Sequence, residues 1–319
     1  MKISEFFDNA GTRQIVINSD IDGFLSGMLL CKYYNCKVVG FTNSKESIWI
    51  SPEVKSIKDP VYIDIFINSP EVFSIDQHIV AYNDDHIDRL LRYGTKMNPN
   101  LDISRRTFCG GKGNFNDYYH KYPFGTVHYL MAKMKDDGVD VEINDLETEY
   151  KVKGINGKEY IVTPGEIVLR ADDALYSSLG KYEDNTKKWW EYLCQYNSSA
   201  IERLVQYLSK CDKKKNTEYK EKIDCFFKNG LNCDSKDGGF DVITDESSKR
   251  LQDRVSEYNK VINKIIGIDM ELPGEYEKHT GIRNVGEYNE DSRRRAFTYA
   301  FVYGPTNANK CFSYTIDIE

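Results

Sequence analysis

Apolar positions fall into short runs separated by polar turns for the first 80 residues. Residues 14–18 (QIVIN) form an apolar run, Ser19-Asp20-Ile21-Asp22-Gly23 interrupts it, and Leu25, Met28, Leu29 and Tyr33 then recur at helical spacing. This predicts strand, acidic turn, helix. Further strands are expected at Lys37–Phe41 and Val61–Ile67, the latter containing Asp64 and punctuated by Pro60 before it and Asn68-Ser69-Pro70 after it, and a shorter one ends at Ile75. Strands alternating with helices imply a parallel sheet, in which ligands sit beyond the carboxyl ends of the strands. Asp20, Asp22 and Asp64 fall at or near that edge.

Downstream, a helix is expected over Asp84–Tyr93, followed by an irregular stretch through Asn98-Pro99-Asn100, a glycine-rich turn at Gly110, Gly111 and Gly113, and a buried helix over Phe124–Met134. Tyr150–Val162 reads as an inserted hairpin, because Asn156-Gly157 suits a tight turn. Pro164 opens a helix that carries Asp172 and Asp173. Beyond about residue 182 the chain shifts to long charged helices, 185–211 and 217–228. A stripe of Leu251, Val255, Tyr258, Ile262 and Ile265 then marks one more helix, which Asp245 is suited to cap. Two strands, Phe297–Tyr303 and Cys311–Ile318, end the sequence. The expected class is α/β: a parallel-sheet N-terminal domain over 1–182, a helical connector over 183–244 and a small α+β substrate-binding domain over 245–319.

At 319 residues and 40% hydrophobic composition the chain has ample apolar surface for packed cores. Its net charge of −7 excludes a global basic field for long duplex nucleic acid, so a nucleic-acid partner is expected to be short or locally gripped. No signal peptide or membrane-length apolar run is read, which points to a cytoplasmic protein without membrane partners. The eight cysteines lack the paired spacing of a zinc site or a small disulfide scaffold, and they are expected to be reduced.

Chemistry concentrates on the acids. Asp20, Asp22, Asp64 and Asp172, at separate element ends, together with the histidine of SIDQH (74–78), form an oxygen-rich set suited to Mn²⁺ or Mg²⁺. Two such ions would serve phosphate-ester hydrolysis. Asp20 and Asp22 also suit helix capping, and Asp76 suits orienting a neighbour. Arg105 and Arg106 offer bidentate phosphate contacts. Arg294, within Arg293–Arg295 and near Phe297 and Tyr299, mixes cations with aromatics as a single-strand surface does.

The order NSDIDGFLSG (18–27), VYID (61–64), SIDQH (74–78) and ADD (171–173) resembles the four motifs of the DHH phosphoesterases, nearest to the RecJ and nanoRNase branches, over roughly residues 13–180. MNPNL (97–101) is similar to the stretch that follows the triplet in RecJ-type members. The resemblance implies metal ligation by Asp20, Asp22, Asp64, Gln77 and Asp172, and catalysis by Asp22, Asp64 and His78. It also implies substrate contacts from His78, joined by Arg105, Arg106 and Arg294. Two departures stand out: Gln77 replaces the first histidine of the triplet, and Asn18 replaces a further acid. The C-terminal glycine-rich signature of the family is absent. Weakened by Gln77, the centre is expected to hold one tight ion, on Asp20, Asp64 and Asp172, and one weak ion. The expected activity is Mn²⁺-dependent hydrolysis of single-stranded or short oligonucleotides. Cyclic dinucleotides or 3′,5′-bisphosphates are the alternative substrates, a catalytically degenerate nucleic-acid-binding or assembly subunit is the other reading, and a homodimer is compatible with all three.

Overall fold

The computed structural model describes every residue except 44–45, 109–119, 154–157, 172–182, 212–217, 219–221, 223–232, 235–238, 241–247, 303–311 and 319; for 183, 233–234, 239–240 and 248–254 it describes the backbone alone. The protein is a mixed α/β fold around a mostly parallel seven-stranded sheet. Strand β1 (Gln14–Asn18) lies at its centre. β2 (Lys37–Thr42) pairs parallel to one side of it, and β4 (Val61–Ile63), β5 (Ser74–Ile75) and β6 (Lys96–Met97) follow in parallel on the other. β3 (Ser47–Ile50) turns back against β2, and β11 (Glu277–Thr280) adds antiparallel to β3.

Helices α1 (Ile3–Ala10), α2 (Ile21–Tyr34), α3 (Asp84–Tyr93) and α4 (Pro99–Asp102) intervene in the first hundred residues. They are followed by α5 (Thr126–Lys133), α6 (Pro164–Arg170), α7 (Glu183–Cys194), α8 (Ser199–Ser209), α9 (Ser248–Ile266) and α10 (Glu290–Arg295). The expected Asp84–Tyr93 helix is found with those limits, because Asn83 caps its start by accepting from the His86 amide and Gly94 ends it in the left-handed region. The expected single helix over 185–211 is two, broken where Asn197 takes φ 55°. The strand expected over Val61–Ile67 stops at Ile63, since Asp64 adopts φ 62° and turns the chain out of the ladder. Strands β7 (Tyr150–Lys153) and β8 (Glu159–Val162) form the expected hairpin, and the short strands β9 (Cys233–Asp234) and β10 (Gly239–Phe240) pair antiparallel. The turn residues Asn156 and Gly157 between β7 and β8, the glycine-rich turn at 110–113, the Asp245 cap, most of 217–228 and the helical residues Asp172 and Asp173 lie outside the described residues.

Alternation in the central strands feeds two cores. Ile15, Ile17, Val61, Ile63 and Ile75 face the larger one, which holds apolar residues of α1, α2, α5 and α6 through α9. Of the expected stripe, Val255, Tyr258, Ile262 and Ile265 point there, and Tyr258 of α9 meets Phe24 edge-on with ring centroids 4.4 Å apart. Val16, Val39 and Tyr62 face the opposite core, where Phe297 and Ile318 pack. With β11 completing the N-terminal sheet, residues on both sides of position 245 share one core and one sheet.

A three-stranded antiparallel sheet of β12 (Ile282–Gly286), β14 (Phe312–Ile316) and β13 (Thr298–Phe301) holds the segments that leave β4 and β5. Thr298 Oγ1 donates to the Phe66 carbonyl (2.6 Å), Asn68 Nδ2 donates to the carbonyls of Arg293 and Ala296, and the Phe301 amide donates to the Ile79 carbonyl (3.1 Å). Tyr299 donates its hydroxyl to the Val80 carbonyl (3.0 Å) and meets His86 Nε2 at 3.2 Å. No helix is long and apolar enough to cross a membrane among the described residues.

Two buried histidines make this fold acid-sensitive. Burial pushes His86 down to about 3, helped by Arg293 and Arg89, and burial pushes His128 down to about 4. In the unfolded chain both return to about 6.5, so below that pH the unfolded state binds protons first. The stability they contribute is fully present above pH 6.5 and is lost as pH falls through their folded values. The expected slope is up to ~1.4 kcal/mol per pH unit per histidine. Urea unfolding from pH 7.5 to 4 should show this decline, and His86→Gln should flatten it; an unchanged slope in the variant would remove His86 from the account.

Candidate metal centre

The carboxyl ends of β1, β4, β5 and β6 converge. β1 ends at Asn18, after which Asp20 caps α2: its Oδ1 accepts the Gly23 amide at 2.9 Å. Gly23 is required there, since a Cβ would lie 2.1 Å from the Asn18 carbonyl oxygen. α2 therefore begins against the end of β1, which keeps Asp20 beside Asn18 and Asp64. Asp64 follows the last residue of β4; its amide donates to the Ile75 carbonyl (2.8 Å) and its backbone then turns into the left-handed region. Asp64 Oδ1 accepts the Thr126 hydroxyl (2.9 Å), and Oδ2 accepts Asn18 Nδ2 (3.1 Å). Its carboxylate is 2% exposed yet well supplied with donors, as burial of a charge demands.

β5 delivers Asp76, Gln77 and His78. Asp76 Oδ1 accepts Nδ1–H of His78 at 2.7 Å, and its Oδ2 accepts the His78 amide (3.1 Å) and Asn98 Nδ2 (3.2 Å). This carboxylate–imidazole pair fixes the ring of His78, whose side chain is 35% exposed. Asn98, capping α4, and Asn100 staple the segment down through the carbonyls of His78 (2.8 Å) and Gln77 (2.7 Å). Asp64, Asp76 and His78 each offer one ligand atom, all within 4.8 Å of one another. That span approaches the ~4.2 Å between opposed ligands at ~2.1 Å bond lengths, and two carboxylates with one imidazole make a hard, mixed O/N donor set suited to a divalent cation.

Asp22 is directed elsewhere. Its Oδ2 accepts the Thr126 amide at 2.6 Å and its Oδ1 the Val127 amide at 2.8 Å, so it caps α5 from across the core. Gly125 makes room for it: a Cβ there would fall 2.6 Å from Asp22 Oδ1. A buried carboxylate on a helix N-terminus satisfies two orphan amides and complements the helix dipole. Gln77 is buried beside His78, with Nε2 3.4 Å from the ring Nε2. Of the expected phosphate-binding arginines, Arg105 pairs with Asp88 (2.7 Å) and Arg294 with Glu290 (3.4 Å). Arg106 donates its amide to the Asn100 carbonyl, so its backbone sits near the centre. Asp172 lies outside the described residues.

Thr126 and Asn98 were not singled out from sequence as site residues. Asn98 carries a signal, Asn-Pro-Asn before a short helix, whereas a threonine at the start of an apolar helix carries none. The chain matches no protein-family model, and no curated protein or solved structure matches it either.

The Asp22 cap is testable apart from any metal. In EDTA, Asp22→Asn is expected to cost roughly 1.5–3 kcal/mol of unfolding free energy, because one of the two amides loses its charged acceptor and faces an N–H₂ group. Urea titration measures it; wild-type stability in the variant would mean that the cap contributes nothing.

Proposed function

We propose that this chain is a metal-dependent phosphoesterase of the DHH type, with Mn²⁺ held by Asp64, Asp76 and His78, acting on short single-stranded oligonucleotides or small nucleotides. The observation that carries the reading is the convergence of those three residues at the carboxyl edge of a parallel sheet, in the order of motifs that the DHH resemblance implies. An imidazole beside two carboxylates favours Mn²⁺ over Mg²⁺. When bound, the ion supplies Lewis acidity to a phosphoryl oxygen and activates a water.

The chain's own residues do the rest. Asp64 and Asp76 bring negative charge to a buried edge where Asn18, Asn98 and Thr126 hold each carboxylate in one orientation. His78, oriented by Asp76 through Nδ1, would offer its Nε2 to the ion. The net charge of −7 and the engagement of Arg105 and Arg294 in ion pairs favour a small or short substrate over a long polyanion. The degenerate-subunit reading draws on a separate observation, the commitment of Asp22 to α5.

Hydrolysis of a panel of short oligonucleotides, cyclic dinucleotides and 3′,5′-bisphosphates in millimolar Mn²⁺ tests the proposal. Asp64→Asn is expected to lower turnover by at least ~10³-fold with the fold retained by circular dichroism, and His78→Ala by ~10²–10⁴-fold. Binding of a nucleic-acid ligand without turnover by the unaltered protein would transfer the assignment to a non-catalytic subunit.

A further inference from the structure

Asn18 stands where a two-ion centre would need positive charge. Its Nδ2 donates to Asp20 Oδ2 at 2.7 Å and to Asp64 Oδ2 at 3.1 Å, so one amide nitrogen bridges two carboxylates. The other end of the side chain settles its orientation: Oδ1 accepts the Ser19 amide at 3.0 Å, which turns the nitrogen toward the acids. The side chain is 2% exposed. Two carboxylates sharing such a site repel unless something with positive character lies between them. In dinuclear phosphoesterase centres that role falls to a second divalent ion.

The neighbouring acid, Asp22, is not part of the group that converges with Asp64. Both oxygens of Asp22 accept amides at the start of α5, and Thr126, which donates one of those amides, also donates its hydroxyl to Asp64. Asp64 is thus held from two sides by neutral donors, and among the described residues the group that converges for a cation is Asp64, Asp76 and His78.

We propose that Asn18 is a built-in replacement for a second metal ion: its amide bridges Asp20 and Asp64, holds Asp64 in its orientation and makes this a one-ion centre. The inference rests on the metal reading above and deepens it. Asn18 acts as a positioning residue, through Asp64.

Asn18→Asp replaces the bridging donor by a third carboxylate beside Asp20 and Asp64, which creates both repulsion and a ligand set for another cation. Asn18→Leu removes the donor at similar volume without adding a ligand. The test is calorimetric titration of EDTA-stripped protein with Mn²⁺, paired with thermal melts with and without the metal. One ion per chain is expected for the unaltered protein and two for Asn18→Asp. That variant should melt below the unaltered protein without metal, and millimolar Mn²⁺ should close the gap. Asn18→Leu should also melt lower but keep a single ion, bound several-fold more weakly. Two ions on the unaltered protein would overturn the inference while leaving the metal centre standing. A single ion on Asn18→Asp, with a metal-free melt equal to that of the unaltered protein, would overturn it too. No ion on the unaltered protein would remove the metal centre itself, and this inference with it.

Discussion

The turn at Asp64 is the constraint on which the rest of the candidate centre depends. A non-glycine residue in the left-handed region is costly, and a buried carboxylate is costlier still; both are tolerated because the amide and both carboxylate oxygens of Asp64 are held by hydrogen bonds. Its amide continues the sheet to Ile75, and its two oxygens take donors from β1 and α5. A continued strand would place the same side chain by pleat alone, on one face of the sheet. The turn aims it along the strand direction, toward Asp76 and His78.

Around that residue, the described donors to the carboxylates are mostly neutral. Asn18, Asn98, the amides of Gly23 and His78, two backbone amides at the start of α5 and the Thr126 hydroxyl donate to Asp20, Asp22, Asp64 and Asp76, and the His78 ring adds a bond to Asp76. The described ion pairs of Arg105, Arg293 and Arg294 are made with Asp88 and Glu290. Neutral donors fix the direction of a carboxylate without neutralising it, as a cation ligand requires.

Much of this could be read from the residues, and the misses have identifiable causes. β1 was legible because five residues of apolar pattern stop at a polar turn, and α3 because Asn83 and Gly94 bracket it. β4 was read too long: Ile65 and Ile67 continue the apolar run after the turn because they are buried in the core of Val16 and Tyr62, Phe66 because it packs on Tyr299, and nothing but the backbone angle of Asp64 tells the two halves apart. β3 and β11 are four-residue strands whose pairing joins residues more than two hundred positions apart, a contact that local pattern does not carry. The expected ligands were Asp20, Asp22, Asp64, Gln77 and Asp172, with Asp76 read as orienting a neighbour and His78 as a catalytic or substrate contact; the group Asp64, Asp76 and His78 shares only Asp64 with that set, because the motif order does not tell which carboxylate faces which neighbour. The place of Asp22 was equally hidden, since no spacing rule indicates that the N-terminus of α5 comes to rest on it.

The bracing of the loops after β4 and β5 by residues 298–301 has a consequence in time. The Thr298–Phe66 bond closes a separation of 232 positions, and the Phe301–Ile79 contact is of the same order. Such contacts incur a large loop-closure cost and form late. During synthesis, at ~5–20 residues per second, Asp64, Asp76 and His78 leave the ribosome on the order of ten seconds or more before the strand that pins their loops. Until then the loops after β4 and β5 lack the partners that brace them. The finished pocket is set only when the last strands dock, which makes the tail of the chain the step that commits the centre to its final geometry.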